Sequence, residues 1–133
     1  MKKRGIINRK LAGLIAGLGH MDTVLVGDAG MPIPKGIEIV DLALCGGVPT
    51  FEQVMNSLLD EMQVEAYIIA NEIIEKNPHL LQYIRENLSS AEEKMIAHVD
   101  LKEQSQYVKF AIRTGEFTPY PNIILRAGAA FEA

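Results

Sequence analysis

At 133 residues the chain has the length of one ordinary domain, with nothing to spare for a second. It is 48% hydrophobic and 23% charged, enough to bury a core, and thirteen Lys and Arg against seventeen Asp and Glu leave a net charge of −4, which argues against a duplex nucleic-acid binder. One cysteine, Cys45, excludes an intramolecular disulfide, and no apolar run approaches the roughly 18 residues of a membrane helix.

The basic start Met1-Lys2-Lys3-Arg4 is followed by Arg9 and Lys10, which interrupt any secretory apolar stretch, and no small-x-small cleavage motif follows. The expected location is the cytoplasm, where the sequon Asn87-Leu88-Ser89 is irrelevant. Leu11, Leu14, Ile15 and Leu18 recur at helical spacing over about 8–18, with Gly19 at the position of a left-handed helix end. Residues 23–27, Thr-Val-Leu-Val-Gly, read as a buried strand closed by the Gly- and Pro-rich loop 28–34. A second strand is expected over 37–44, then a helix over about 51–62 capped by Thr50. Residues 65–70 suit a central strand, 78–88 a helix with Pro78 in its first turn, and 95–98 a weak strand, with Asp100 as cap of a short helix. Strands at 109–113 and 122–126 flank the loop 114–121.

This alternation predicts a single α/β domain over residues 1–133: a Rossmann-like sheet, at least partly parallel, with flanking helices. Ligands of such sheets sit at the carboxyl ends of strands, which directs attention to loops 28–34, 45–50, 98–100 and 114–121. No Gly-x-x-x-x-Gly-Lys-Ser/Thr is present, and the serines at 57, 89, 90 and 105 occupy no Gly-x-Ser-x-Gly elbow. Cys45 has no histidine near it in sequence and reads as a small buried hydrophobe.

The residues left for chemistry are few. His20, at the expected end of the first helix, has the dipole there to favour imidazolium, which suits a general acid; the plainer role is capping orphan carbonyls. Asp28 follows an apolar strand among Gly27, Gly30, Pro32 and Pro34, where its carboxylate either orients hydroxyl groups or closes an Asx-turn. His98 closes a strand, and His79 looks solvent-facing and is assigned nothing. The segment Arg113 to Asn122 is the most suggestive, because Tyr120 and Asn122 offer donors, acceptors and a flat apolar face to a small polyhydroxylated ligand. Its plainer reading is a proline-stiffened turn with Arg113 and Glu116 as an ordinary ion pair.

Four stretches in order, Gly5-Ile-Ile-Asn8, Leu18-Gly-His-Met-Asp22, Gly27-Asp-Ala-Gly-Met-Pro-Ile-Pro34 and Ile112-Arg-Thr-Gly-Glu-Phe-Thr-Pro-Tyr-Pro-Asn122, resemble the D-ribose pyranases of the ribose and fucose mutarotase group. The resemblance spans essentially the whole chain. It implies interconversion of the β-pyranose and β-furanose forms of D-ribose without cofactor or metal, in a homo-oligomer built from rings, a decamer, with sites between subunits. Position by position it makes His20 the proton donor, Asp28 and His98 sugar contacts, and Tyr120, Pro121 and Asn122 the carboxyl-terminal sugar-binding segment, with Pro121 contributing backbone only. The fucose branch is less similar, lacking the 29–34 pattern and carrying another residue where His98 stands. Ring opening needs one proton delivered to the ring oxygen and one removed from the anomeric hydroxyl, so an acid and a base suffice. The competing readings are a metal site of His20, Asp28 and His98, a non-catalytic pentose-binding protein tied to ribose uptake, and a mutarotase for another sugar such as fucose.

Overall fold

The computed structural model describes residues 1–131. In chain order the elements are α1 (Arg9–Ala16), β1 (Thr23–Gly27), β2 (Glu38–Asp41), α2 (Phe51–Leu59), β3 (Val64–Ala70), α3 (Ile73–Lys76), α4 (Pro78–Asn87), β4 (Glu92–Ile96), α5 (His98–Gln104), a 3-10 turn (Ser105–Tyr107), β5 (Phe110–Arg113) and β6 (Ile123–Ala127). They form one six-stranded sheet in the order β2-β5-β1-β6-β3-β4. The pairs β1·β5, β2·β5 and β3·β4 are parallel, and β6 pairs antiparallel with both β1 and β3. Five strands therefore run one way and β6 alone runs against them. The fold is the expected α/β sheet with flanking helices, mostly parallel.

The sheet is apolar on both faces because strands covered on both sides need near-continuous hydrophobic runs. Val24, Val26, Ile69, Ile112, Ile123 and Leu125 turn one way into a large core under α1, α2 and α4, with Phe51, Met55, Leu58 and Ile84 filling it from the helices. Leu25, Ala70, Ala111 and Ile124 turn the other way, where Leu101 of α5, Met31 and Val108 cover them. Among the described residues no helix is long and apolar enough to cross a membrane.

Several boundaries differ from the sequence reading, each for a local reason. The first helix stops at Ala16, with Gly17 rather than Gly19 as its C-cap. Asp41 ends β2 early by taking the Ala43 N–H into an Asx-turn (3.0 Å). Cys45 is exposed, not buried, since it sits in the turn it closes with Val48. The weak strand lies at 92–96 rather than 95–98: as the sheet edge it tolerates Glu92 and Lys94 facing water. His98 is consequently the first residue of α5, whose N-cap is Ala97, and Asp100 lies inside the first turn instead of capping it.

Thr50 does cap α2, in a full capping box: its side chain accepts the Gln53 N–H (3.1 Å), while Gln53 Oε1 accepts the Thr50 N–H (2.9 Å). Thr50→Ala should cost about 1 kcal/mol, read as a lower denaturant midpoint with unchanged m-value.

Candidate functional site

The strand directions decide which residues share a rim. Carboxyl ends of β1, β3, β4 and β5 and the amino end of β6 lie together, so Asp28, Glu72, His98, Thr114 and Asn122 gather at one edge of the sheet. Residues before β1 and β3 and after β6 lie at the other.

At the first rim the buried Asn122 is the hub. Its Oδ1 accepts the Asp28 main-chain N–H (2.9 Å) and its Nδ2 donates to Asp28 Oδ2 (3.0 Å), so the amide has one orientation only. The same Nδ2 meets His98 Nε2 at 3.3 Å, and because an amide nitrogen only donates, that Nε2 accepts and the neutral ring carries its proton on Nδ1. Burial holds the His98 pKa below its usual 6.5, with Lys102 adding to the effect and Glu72 and Asp28 opposing it, which agrees with the accepting nitrogen. Asp28 Oδ1 takes the Gly30 N–H (2.8 Å), which closes the Asx-turn, while Oδ2 accepts from Asn122.

Tyr120 packs edge-on against the His98 ring, centroids 5.0 Å apart at 88°. Its φ of 65° lies in the left-handed region, which a bulky side chain occupies only when its surroundings hold it there. The Asn122 N–H returns to Tyr120 O (2.9 Å), a three-residue turn centred on the buried Pro121, whose ring pre-sets the required φ. Pro121 thus shapes the backbone that aims its two neighbours.

The loop bearing Tyr120 is clamped at both ends. Thr114 Oγ1 donates to Gly27 O (2.8 Å), and a Cβ on Gly115 would stand 2.3 Å from Val48 O, so only glycine lets the two loops meet. Glu116 does not pair with Arg113 as expected. Its Oε1 accepts the Phe51 N–H at the start of α2 (3.0 Å) and its Oε2 the Thr118 hydroxyl (2.8 Å), while Arg113 pairs with Asp41 (3.0 Å). Asn77, the α4 N-cap, donates to Thr118 Oγ1 and Pro119 O, both at 2.9 Å.

His20 is at the opposite rim. It is not at the helix end, being four residues past Ala16 in the turn closed by Asp22 N–H on Gly19 O, so the dipole gives it no support. Its Nε2 instead lies 3.1 Å from Glu65 Oε2 on β3, and Arg126 Nε of β6 holds the other oxygen at 3.0 Å. Chiefly the His20 hydrogen bond, then the charges of His20 and Arg126, keep the Glu65 carboxyl below its ordinary range. A carboxylate accepts only, so His20 Nε2 carries a proton. The His20 side chain is 55% exposed. β1 alone separates this group from the Asp28 cluster by about 13 Å, four residue steps. One chain therefore brings together Asp28, His98, Tyr120 and Asn122 but not His20, and the set of His20, Asp28 and His98 needed for a metal does not converge within it. Among the described residues no three His, Cys, Asp or Glu side chains are grouped to hold a metal ion. His79 is exposed and pairs with Glu52 at 3.0 Å.

Sequence reasoning missed Glu65, Arg126 and Glu72. The first two read only as polar strand residues, and nothing local marks their cross-strand partners.

Comparison with known proteins returns a single picture. The RbsD / FucU transport protein family matches residues 1–130. A Limosilactobacillus fermentum protein called D-ribose pyranase is 44% identical over 131 residues, covering 98% of this chain and all of that one. The structure of Bacillus subtilis RbsD complexed with D-ribose superposes with a TM-score of 0.95 at 42% identity, covering 98% of this chain and 100% of that one. The Streptococcus pneumoniae fucose mutarotase in complex with L-fucose shares the fold, with a TM-score of 0.74 at 22% identity over 92% and 94% of the two chains.

Proposed function

Because the chain belongs to the RbsD/FucU family, we propose that it is a D-ribose pyranase, an isomerase that opens and recloses the sugar ring to interconvert the β-pyranose and β-furanose forms. What carries this reading is end-to-end likeness, at 42–44% identity, to a protein called by that activity and to one bound to D-ribose, joined to a rim cluster of carboxylate, amide, imidazole and phenol. Such a set recognises several hydroxyls at once and supplies no strong nucleophile.

In the proposed mechanism Asp28 Oδ2 takes a sugar hydroxyl, the His98 Nδ1–H donates to another, Tyr120 lies along the ring, and the buried Asn122 amide holds the Asp28 carboxylate and the His98 ring in place behind them. The cyclic hemiacetal opens when its ring oxygen is protonated, the bond from C1 to that oxygen breaks and the anomeric hydroxyl gives its proton to water, and the freed aldehyde rotates and recloses on a different hydroxyl by the reverse transfers. The proton donor is His20. With Nε2–H held by Glu65, the imidazolium delivers from Nδ1, and Glu65 acts as orienter of the donor. A donor a strand's length from the cluster serves it only from a second copy of the chain, so the working unit is a homo-oligomer whose sites lie between subunits. That it is a ring-based decamer is what the resemblance to the D-ribose pyranases implies, and its place in the cytoplasm rests on the interrupted apolar stretch at the start of the sequence. No residue of the scheme calls for a cofactor or metal.

Saturation-transfer NMR between ribose forms, with and without protein, tests the proposal: exchange lines broadened by catalytic amounts of protein support it, and ribose bound without accelerated exchange would reduce the chain to a binding protein. Running L-fucose in parallel separates the two branches.

The charge state of His98 gives a pH signature. Its folded pKa lies below 6.5, so between that lowered value and 6.5 the folded chain binds fewer protons than the unfolded one and stability falls as pH drops through the window. Charging the ring also turns Nε2 into a donor facing the Asn122 donor. Ribose affinity should therefore hold from mildly basic pH through 6.5 and fall only below it, as measured by ligand titration at each pH.

A further inference from the structure

A second carboxylate stands behind the cluster. Glu72 lies just past β3, where the Asn71 N–H donates to Ile96 O (2.7 Å) and laces the end of β3 to the end of β4. From there its Oε1 and Oε2 lie 3.0 and 3.1 Å from the His98 main-chain nitrogen and share its N–H. α5 has no side-chain cap of its own, so its first amide is satisfied by an acid from another element. Among the described residues the His98 ring itself is held by the 3.3 Å contact to Asn122 Nδ2 and the edge-on contact to Tyr120. Neither fixes the backbone from which the ring hangs.

We propose that Glu72 is the positioning residue for His98, anchoring the start of α5 so that the imidazole stays on Asn122 and open to the sugar; this rests on the reading of His98 as a sugar contact. Glu72 has an electrostatic share as well. The charged groups acting on the imidazole are Glu72, Asp28 and Lys102, the first two favouring its protonated form and Lys102 opposing it together with burial. Without the Glu72 charge the balance tips further toward the neutral ring.

Two variants separate anchoring from charge. Glu72→Ala removes both, and should raise KM for ribose exchange about tenfold with kcat changed less than about threefold. Glu72→Gln keeps an acceptor for the amide but no charge, and should bring KM back to within about threefold of the parent. Both should move the His98 ring titration, followed by NMR of the full chain without sugar, to lower pH than the parent. A parental KM in Glu72→Ala, a Glu72→Gln protein as impaired as Glu72→Ala, or an unmoved titration in Glu72→Gln overturns the proposal. Should Glu72→Ala fail to fold, the Glu72→Gln titration decides alone. Failure of the ribose reading would show separately, as absent exchange in the parent protein.

Discussion

Alanine at position 20 should slow D-ribose ring exchange by about 10²–10⁴-fold, the worth of a positioned general acid, with the fold left intact. His20 is more than half exposed and among the described residues its side chain pairs with Glu65 alone, so unfolding should shift by no more than about 0.5 kcal/mol. The sharper test uses the distance between the two rims. Asp28→Ala removes the carboxylate that Asn122 donates to and should also be inactive, but its His20 is untouched. If sites form between copies, co-expressing the two dead chains in equal amounts restores about a quarter of the sites, those pairing an intact Asp28 rim with an intact His20. If the donor acted within its own chain, every copy in the mixture would lack one half and no activity would return. Unchanged exchange in His20→Ala would remove the donor assignment altogether. Glu65→Gln, which keeps an acceptor but loses the charge that keeps it accepting, should fall between parent and His20→Ala.

What the sequence makes legible here is what is local. β1 falls at residues 23–27 as expected, because a continuous apolar run closed by Gly and Asp has few alternatives, and the Thr50 cap of α2 is written in four adjacent residues. The placing of Asp28 and of loop 114–121 at the carboxyl rim follows from strand order alone, and the structure joins the two through the residues flanking Asp28, Gly27 O accepting the Thr114 N–H and the Ala29 N–H donating to Glu116 O. What escapes is the pairing of residues distant in sequence. Glu65 and Arg126 are 61 positions apart and meet only because β6 runs against β3. Glu72 and His98 meet because β3 and β4 are neighbours, and the same fact explains the misplaced cap: Asp100 is a sound local candidate, displaced by an acid 26 residues away from the capped nitrogen. The helix-dipole reading of His20 needs α1 to run two residues further than Ala16. The actual support of this side chain is again a strand neighbour, and a sequence gives no sign that His20 stands at the rim opposite Asp28.

The buried amide of Asn122 should prove the costliest side chain of the rim to lose. It is fully buried and satisfies the Asp28 N–H, the Asp28 carboxylate and His98 Nε2 together. Asn122→Ala strands all three, and a buried group left unpaired costs about 1–3 kcal/mol, more for a charged one, so a loss of about 2–4 kcal/mol is expected along with most ribose affinity. Asn122→Asp distinguishes loss of shape from loss of donor. The carboxylate still accepts the Asp28 N–H, but it sets a second negative oxygen about where Nδ2 donated, 3.0 Å from Asp28 Oδ2. Like charges that close share a proton, which raises one of the two pKa values above the unfolded one. Alternatively His98 takes up the proton and donates it to the new carboxylate. Both routes leave the folded variant binding more protons than the unfolded chain near neutrality, so its stability rises as pH falls from about 7 toward 5. The parent protein slopes the other way through the His98 window, since its folded ring resists charging. Denaturation midpoints of both proteins across that range decide it: slopes of the same sign would mean that Asn122 does not join Asp28 to His98 in solution, and the sugar site proposed around it would lose its centre.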